Sequence, residues 1–231
     1  MSARAAAASG EGANSLSMLH PDWRRAWGPS IQGEGTRAAM EADPRLRARI
    51  LARIGDAHDL AVGGEPRLDR TAGAVARALG EDRVGFQRLC GLAHIGRRIA
   101  TATNREDYAV LSKAFGADRL AAAVRIAADL PERADDHGYD TEQLVPAVER
   151  IGRSVLAEWS ATLPRGAADW LAMMLPRGRG ETGGSVGTAR AVAIVEGAAE
   201  EARAEERRGA ARRALEAPGR ARASGRKERA A

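Results

Sequence analysis

Apolar residues along this chain recur at steps of three and four, and alternating runs of the strand type are lacking. The first clear stripe is Leu46, Ile50 and Ile54, behind Asp43 as a helix cap and Pro44 at the first helical position. After a turn at Gly63-Gly64-Glu65-Pro66, Leu68, Ala72, Val75 and Leu79 predict a second helix that stops at Gly80. A third starts at Asp82 and carries Val84, Phe86, Leu89, Cys90, Leu92, Ala93, Ile95 and Ile99, with Arg97 and Arg98 only near its end. Apolar on most of its circumference, it is expected at the centre of the fold.

Asn104 caps the fourth predicted helix, which has Asp107 in its first turn and Tyr108, Leu111 and Phe115 on one side; Gly116 ends it. Asp118 opens the fifth, where Leu120, Val124, Ala127 and Leu130 stay in register until Pro131 breaks the run. Arg133 to His137 read as a polar loop. Asp140 with Gln143 three residues on forms a capping box for a sixth helix through Leu144, Val148, Ile151, Val155 and Trp159, with Pro146 tolerated near its start. Leu163-Pro164 closes that helix. Trp170 to Leu175 is a short apolar segment of ambiguous type, ended by Pro176.

These patterns predict an all-α protein: a single helical domain of about six helices over residues 16–176. Residues 1–15 are small and polar without a period and are expected to be a flexible, disordered N-terminus. Residues 177–187 contain five glycines and read as a linker. Residues 188–217 form a charged helix whose large apolar side chains are only Val192, Ile194, Val195 and Leu215, so it is expected to stand in solvent or to dock on a partner. From Pro218 to residue 231 the tail is basic and expected to be disordered. Leu19-His20-Pro21-Asp22-Trp23, followed by Trp27, holds two of the four tryptophans. It reads as an extended strap packing Trp23 or Trp27 on the domain, or as an anchor for another protein, since Trp dominates interface hot spots.

Composition sharpens this picture. Alanine supplies much of the 44% apolar share, and aromatics amount to 3%. Such a mixture favours helix over sheet. Apart from Lys113 and Lys227 every basic residue except histidine is arginine. The net charge of +5 would suit acidic partners, but 31 acids are interleaved with 36 bases, which argues against one continuous basic face. The lone Cys90 allows no internal disulfide and fits a reducing compartment. No apolar run approaches the ~18 residues of a membrane span, and the short alanine run after Arg4 is too weakly apolar for a signal peptide. A cytoplasmic protein is expected, reaching the inner face of a membrane only through partners.

Candidate chemistry is sparse. Cys90 and His94 lie four apart on one helix, a spacing that would suit half a zinc site or a thiolate–imidazole pair. Zinc needs further ligands, and the remaining histidines are only His20, His58 and His137. The surroundings of Cys90 are apolar, so a buried structural thiol is expected. Asp135, Asp136 and His137 carry metal-ligand chemistry but sit in a loop without a second carboxylate cluster. Gly178-Arg179-Gly180-Glu181-Thr182-Gly183 matches the dinucleotide-loop spelling, yet only a charged helix and a tail follow it, with no second strand. Arg220, Arg222, Arg226, Lys227 and Arg229 make the tail basic. It reads first as solubilising; a nucleic-acid contact through counterion release is the alternative, without aromatics for base stacking. No catalytic, cofactor-binding or metal site is expected, and no small-molecule substrate.

The landmarks together resemble the cytoplasmic SctK (YscK-like) proteins of bacterial type III secretion systems. Leu19-His20-Pro21-Asp22-Trp23 is similar to that family's Leu-His-Pro opening. Val84 to Leu92, Ile95-Gly96-Arg97-Arg98-Ile99, Phe115-Gly116, Ala128-Asp129-Leu130-Pro131 and Trp170 to Pro176 look like its later segments, so the likeness covers residues 16–176. It implies a non-catalytic scaffold of the sorting platform, joining the inner-membrane ring's cytoplasmic domain to the platform's pod protein. Trp23, Trp27 and Trp170 are then the residues expected to meet partners.

Overall fold

The close packing of α3 (Arg70–His94) against α7 (Thr141–Ser160) organises the fold. The computed structural model describes residues 18–27, 35, 42–58, 68–101, 105–131, 141–176 and 186–224. Among these every regular element is a helix, so the fold is all-α. The remaining helices are α1 (Pro21–Trp27), α2 (Pro44–His58), α4 (Gly96–Thr101), α5 (Arg105–Phe115), α6 (Ala117–Ala128), α8 (Arg165–Met173) and α9 (Thr188–Ser224). The count exceeds the six-plus-one read from the pattern because the short α1, α4 and α8 are added, while the second and third expected helices are joined in α3. The expected disordered N-terminus 1–15, the turn at 63–66, the caps Asn104 and Asp140 and most of the glycine-rich linker lie outside the described residues.

Glycine makes the central crossing possible. A Cβ built on Gly91 of α3 would overlap the carbonyl oxygen of Val148, and one on Gly152 of α7 would overlap that of Gln87. Each helix thus lays bare backbone against bare backbone, an approach no side chain permits. Polar groups fasten the same crossing. The buried Gln87 amide donates to Glu149 O at 2.7 Å, and Arg88 donates to the Glu149 carboxylate from Nε at 2.9 Å. The Arg88 guanidinium also lies 5.9 Å from the centre of the Phe115 ring on α5, within reach of a cation–π attraction.

Helix boundaries follow local chemistry closely. Asp43 Oδ1 accepts from Arg45 N at 2.8 Å, and Asp69 Oδ1 from Ala72 N at 2.7 Å. At Asp82 the run of α3 is interrupted: its φ and ψ of −140° and 79° are not helical, and its Oδ1 accepts from Gly85 N at 2.8 Å. The expected stop at Gly80 and restart at Asp82 are therefore present as a kink within one element. The helix expected to continue to Ile99 breaks instead at Ile95. Gly96 begins α4 because it seats on α6, where a Cβ would meet Ala127 Cβ at 2.5 Å and Ala123 O at 2.8 Å.

Three details depart from the helical stripes. Val84 is 50% exposed and Tyr108 is 44% exposed, although each shares a helix with buried neighbours. On the side of α5 that holds Tyr108, burial is left to Leu111 and Phe115. The segment Trp170–Leu175 is helical for its first four residues, within α8, and a turn thereafter. Most consequential is α9. Ala191, Ile194, Val195, Ala198 and Ala199 are fully buried, and the helix packs against α3, α6 and α7. Its first half belongs to the core, and the element continues beyond residue 217 to Ser224, into what was expected to be a disordered tail. Among the described residues no helix is long and apolar enough to cross a membrane.

The crossing predicts opposite outcomes for two glycines. Gly152→Ala should lower unfolding free energy by about 2 kcal/mol or more, since backbone cannot rotate away from the added methyl. Gly73→Ala on α3, whose Cβ would have only Arg77 Nη1 at 4.0 Å, should raise it by about 0.5–1 kcal/mol. Denaturant titration of the two variants checks both signs.

Candidate functional site

Cys90 lies at the heart of the core, completely buried, as the sole thiol. Burial pushes its thiol well above the ordinary cysteine range, the small opposing effect of a backbone hydrogen bond notwithstanding. A group so protonated is no nucleophile at neutral pH. His94, one turn on, is half-buried at the C-terminus of α3. Among the described residues no group of three or more His, Cys, Asp or Glu side chains is gathered where it could hold a metal ion. Asp135, Asp136, His137 and the glycines 178–183 lie outside the described residues. The element before those glycines, α8, is a helix and not the strand that a dinucleotide loop requires.

The tryptophans singled out by sequence are divided by the packing. Trp170 is 2% exposed and packs in the core, so its indole is spent on the fold. Trp23 is partly buried against the core from α1. Trp27 is the last residue of the same helix, and its side chain lies outside those described. The segment that carries both is a short helix, not an extended strap, and it is tied down at its start. Leu19 is fully buried, His20 N donates to Met173 O at 2.9 Å, and Arg83 Nη2 donates to Met18 O at 2.9 Å. Pro21 and Ala26 are exposed, so α1 lies on the surface of the body. Nearby, His58 Nδ1 of α2 meets Asp169 Oδ2 of α8 at 3.0 Å, an ionisable link between two elements.

A polar arrangement that the sequence pattern did not reveal lies where α3 ends. Arg190, in the first turn of α9, is 7% exposed. Its guanidinium donates to Pro131 O at 2.6 Å and His94 O at 2.9 Å. Arg97 of α4 donates to Leu130 O at 2.5 Å and to Ala127 O at 3.4 Å. Carbonyls at the last turn of a helix lack intrahelical partners and carry the negative end of its dipole. Two guanidinium groups thus serve carbonyls at the end of α3 and at or just beyond the end of α6, and Arg190 ties α9 to both places. The one sequence signal was an arginine standing just before the Ala191–Ala199 apolar stripe. The arrangement binds helix to helix, and its donors are directed at backbone.

Glu158 acts in a similar way, because its Oε1 accepts from Val186 N at 2.5 Å and holds the start of α9 to α7. Between α3, α7 and α8 lies a small apolar crevice lined by Val75, Leu79, Trp159 and Leu171, among others, without a charged group. Compared with known proteins, the chain matches no family model, no curated protein and no solved structure.

The Cys90 thiol should resist a disulfide reagent at pH 8 in the folded chain and react stoichiometrically once denatured, as absorbance of the released thiolate will show; rapid native labelling would contradict its burial. Arg190→Ala should lower stability by about 2–3 kcal/mol by orphaning the two carbonyls it serves, whereas Arg190→Lys, able to reach one of them, should lose about half as much. Thermal or denaturant unfolding measures both.

Proposed function

We propose that this chain is a non-catalytic scaffold of a bacterial type III secretion apparatus, linking the cytoplasmic domain of the inner-membrane ring to the pod protein of the sorting platform. The observation that carries the reading is the anchoring of α1. Its root is pinned by Leu19, by His20 and by the partly buried Trp23, while the helix itself runs along the surface and ends at Trp27. A surface helix anchored at its root is preorganised for an interface, because little further ordering is needed when a partner meets it. The resemblance of residues 16–176 to the SctK-like proteins supports the same direction. So does the employment of Gln87, Arg88, Arg97, Glu158 and Arg190, all of which join helix to helix. A cytoplasmic location, with attachment at the membrane only through the ring, belongs to this proposal.

Mixing the purified full chain with the ring's cytoplasmic domain and the pod protein, at micromolar concentrations, tests it. Co-elution of all three on a sizing column is the expected result. Trp27→Ala should weaken the association at least about tenfold, as expected for an interface hot spot. A chain that elutes alone in the presence of both components refutes the assignment.

A further inference from the structure

The five acids of α9 with described side chains all precede Arg207, and three of them are engaged in ion pairs. Glu201 accepts from Arg125 of α6 at 2.8 Å, and Glu206 lies 3.6 Å from Arg77 of α3. Glu200 meets Arg203 of its own helix at 2.6 Å. Beyond Glu206 the helix leaves the body, and its described side chains to residue 214 are arginine, glycine and alanine, nearly all exposed. Arg207 and Arg208 reach back toward Glu200 and Glu201 at 3.5 and 3.1 Å, exposed pairs worth little in water. No described carboxylate pairs with Arg212 or Arg213.

We propose that this projecting part of α9 is a nucleic-acid-binding arm that inserts along a duplex groove and grips the phosphates on both walls. Three observations select that partner. First, from Arg207 to Ala214 there is no large apolar side chain and Leu215 follows alone in the sequence, so this stretch lacks the apolar stripe that a hydrophobic groove of another protein or a lipid interface requires. Second, at about 100° per residue Arg207, Arg208, Arg212 and Arg213 fall at about 0°, 100°, 140° and 240° around the axis. A flat acidic surface, protein or membrane, meets one side of a helix, whereas a groove presents charge to both flanks. Third, Gly209, Ala210, Ala211 and Ala214 keep the arm slender, and a helix about 10–12 Å across matches a major groove about 12 Å wide. With its arginines spread around the axis toward both walls, the arm is directed at backbone charge, the contact that positions a protein on a duplex without reading its sequence.

The inference is independent of the scaffold assignment, which concerns α1 and is read by protein co-elution. Fluorescence anisotropy of a labelled duplex of about 20 base pairs, titrated with the full chain between about 50 and 200 mM salt, tests it. The wild-type chain should bind two unrelated sequences equally, with affinity falling steeply as salt rises. Replacing Arg207, Arg208, Arg212 and Arg213 by Gln should cut affinity at least about tenfold at about 100 mM salt and flatten the log–log salt slope by about 3–4. The same variant should keep the wild-type circular dichroism and melting temperature, which shows that the body is intact. No duplex binding at that salt concentration, an unchanged affinity in the variant, or equal or tighter binding to poly-glutamate or to vesicles rich in anionic lipid would each overturn the proposal.

Discussion

Gly91 and Gly152 set the distance between α3 and α7, and the composition of the whole body follows from that distance. With two backbones in contact, the space around the crossing is too shallow for bulky side chains. Alanine is prominent in the core, where Ala93, Ala147, Ala191, Ala198 and Ala199 are all buried beside the leucines, isoleucines and valines. The same device recurs where Gly96 seats on Ala123 and where Gly197 of α9 faces Ile126 Cγ2, which a Cβ would meet at 2.9 Å. A core built by close approach gains dispersion contact from proximity and not from side-chain volume. That explains how a chain with so few aromatics buries a continuous interior.

Close helices bring their ends together as well, and ends are electrostatically awkward. Where α3 ends and the chain leaves α6, the carbonyls of His94, Leu130 and Pro131 need donors. Arg97 and Arg190 meet this need from two different elements. Arginine suits the position because its planar fork serves two oxygens at once and stays charged when buried. Glu158, receiving the N–H of Val186, fixes the approach from the other side.

What the residues announced in advance was local chemistry. Asp43 with Pro44, the interruption between Gly80 and Asp82, and Gly116 between two helices depend on neighbours within a few positions, and each stands where the pattern put it. Gly116 has a φ of +85°, so its identity alone marked a break. What stayed hidden depends on distant partners. Val84 and Tyr108 have the spacing of buried residues, yet both remain largely exposed. The root of α9 was masked because Ile194 and Val195 share one helix with a dense run of charges, which dilutes their signal. Gly91 and Gly152 were visible as glycines inside apolar helices, but only the crossing shows why they are glycine. As for candidate surfaces, the tryptophans were identifiable from residue type, but the contrast between the core indole of Trp170 and the half-covered one of Trp23 needed the packing of α8 and α1.

The continuity of α9 has a mechanical corollary. Its buried root and the exposed stretch from Arg207 to Ala214 belong to one helix of 37 residues, with no turn where the two regimes meet. A tug on the outer part therefore finds no slack joint near the body to absorb it. The strain passes straight to Ile194 and Val195, which would have to be dragged into water before the element could come free. The helix is a rooted lever, and whatever fastens to its tip is mechanically coupled to the protein's interior.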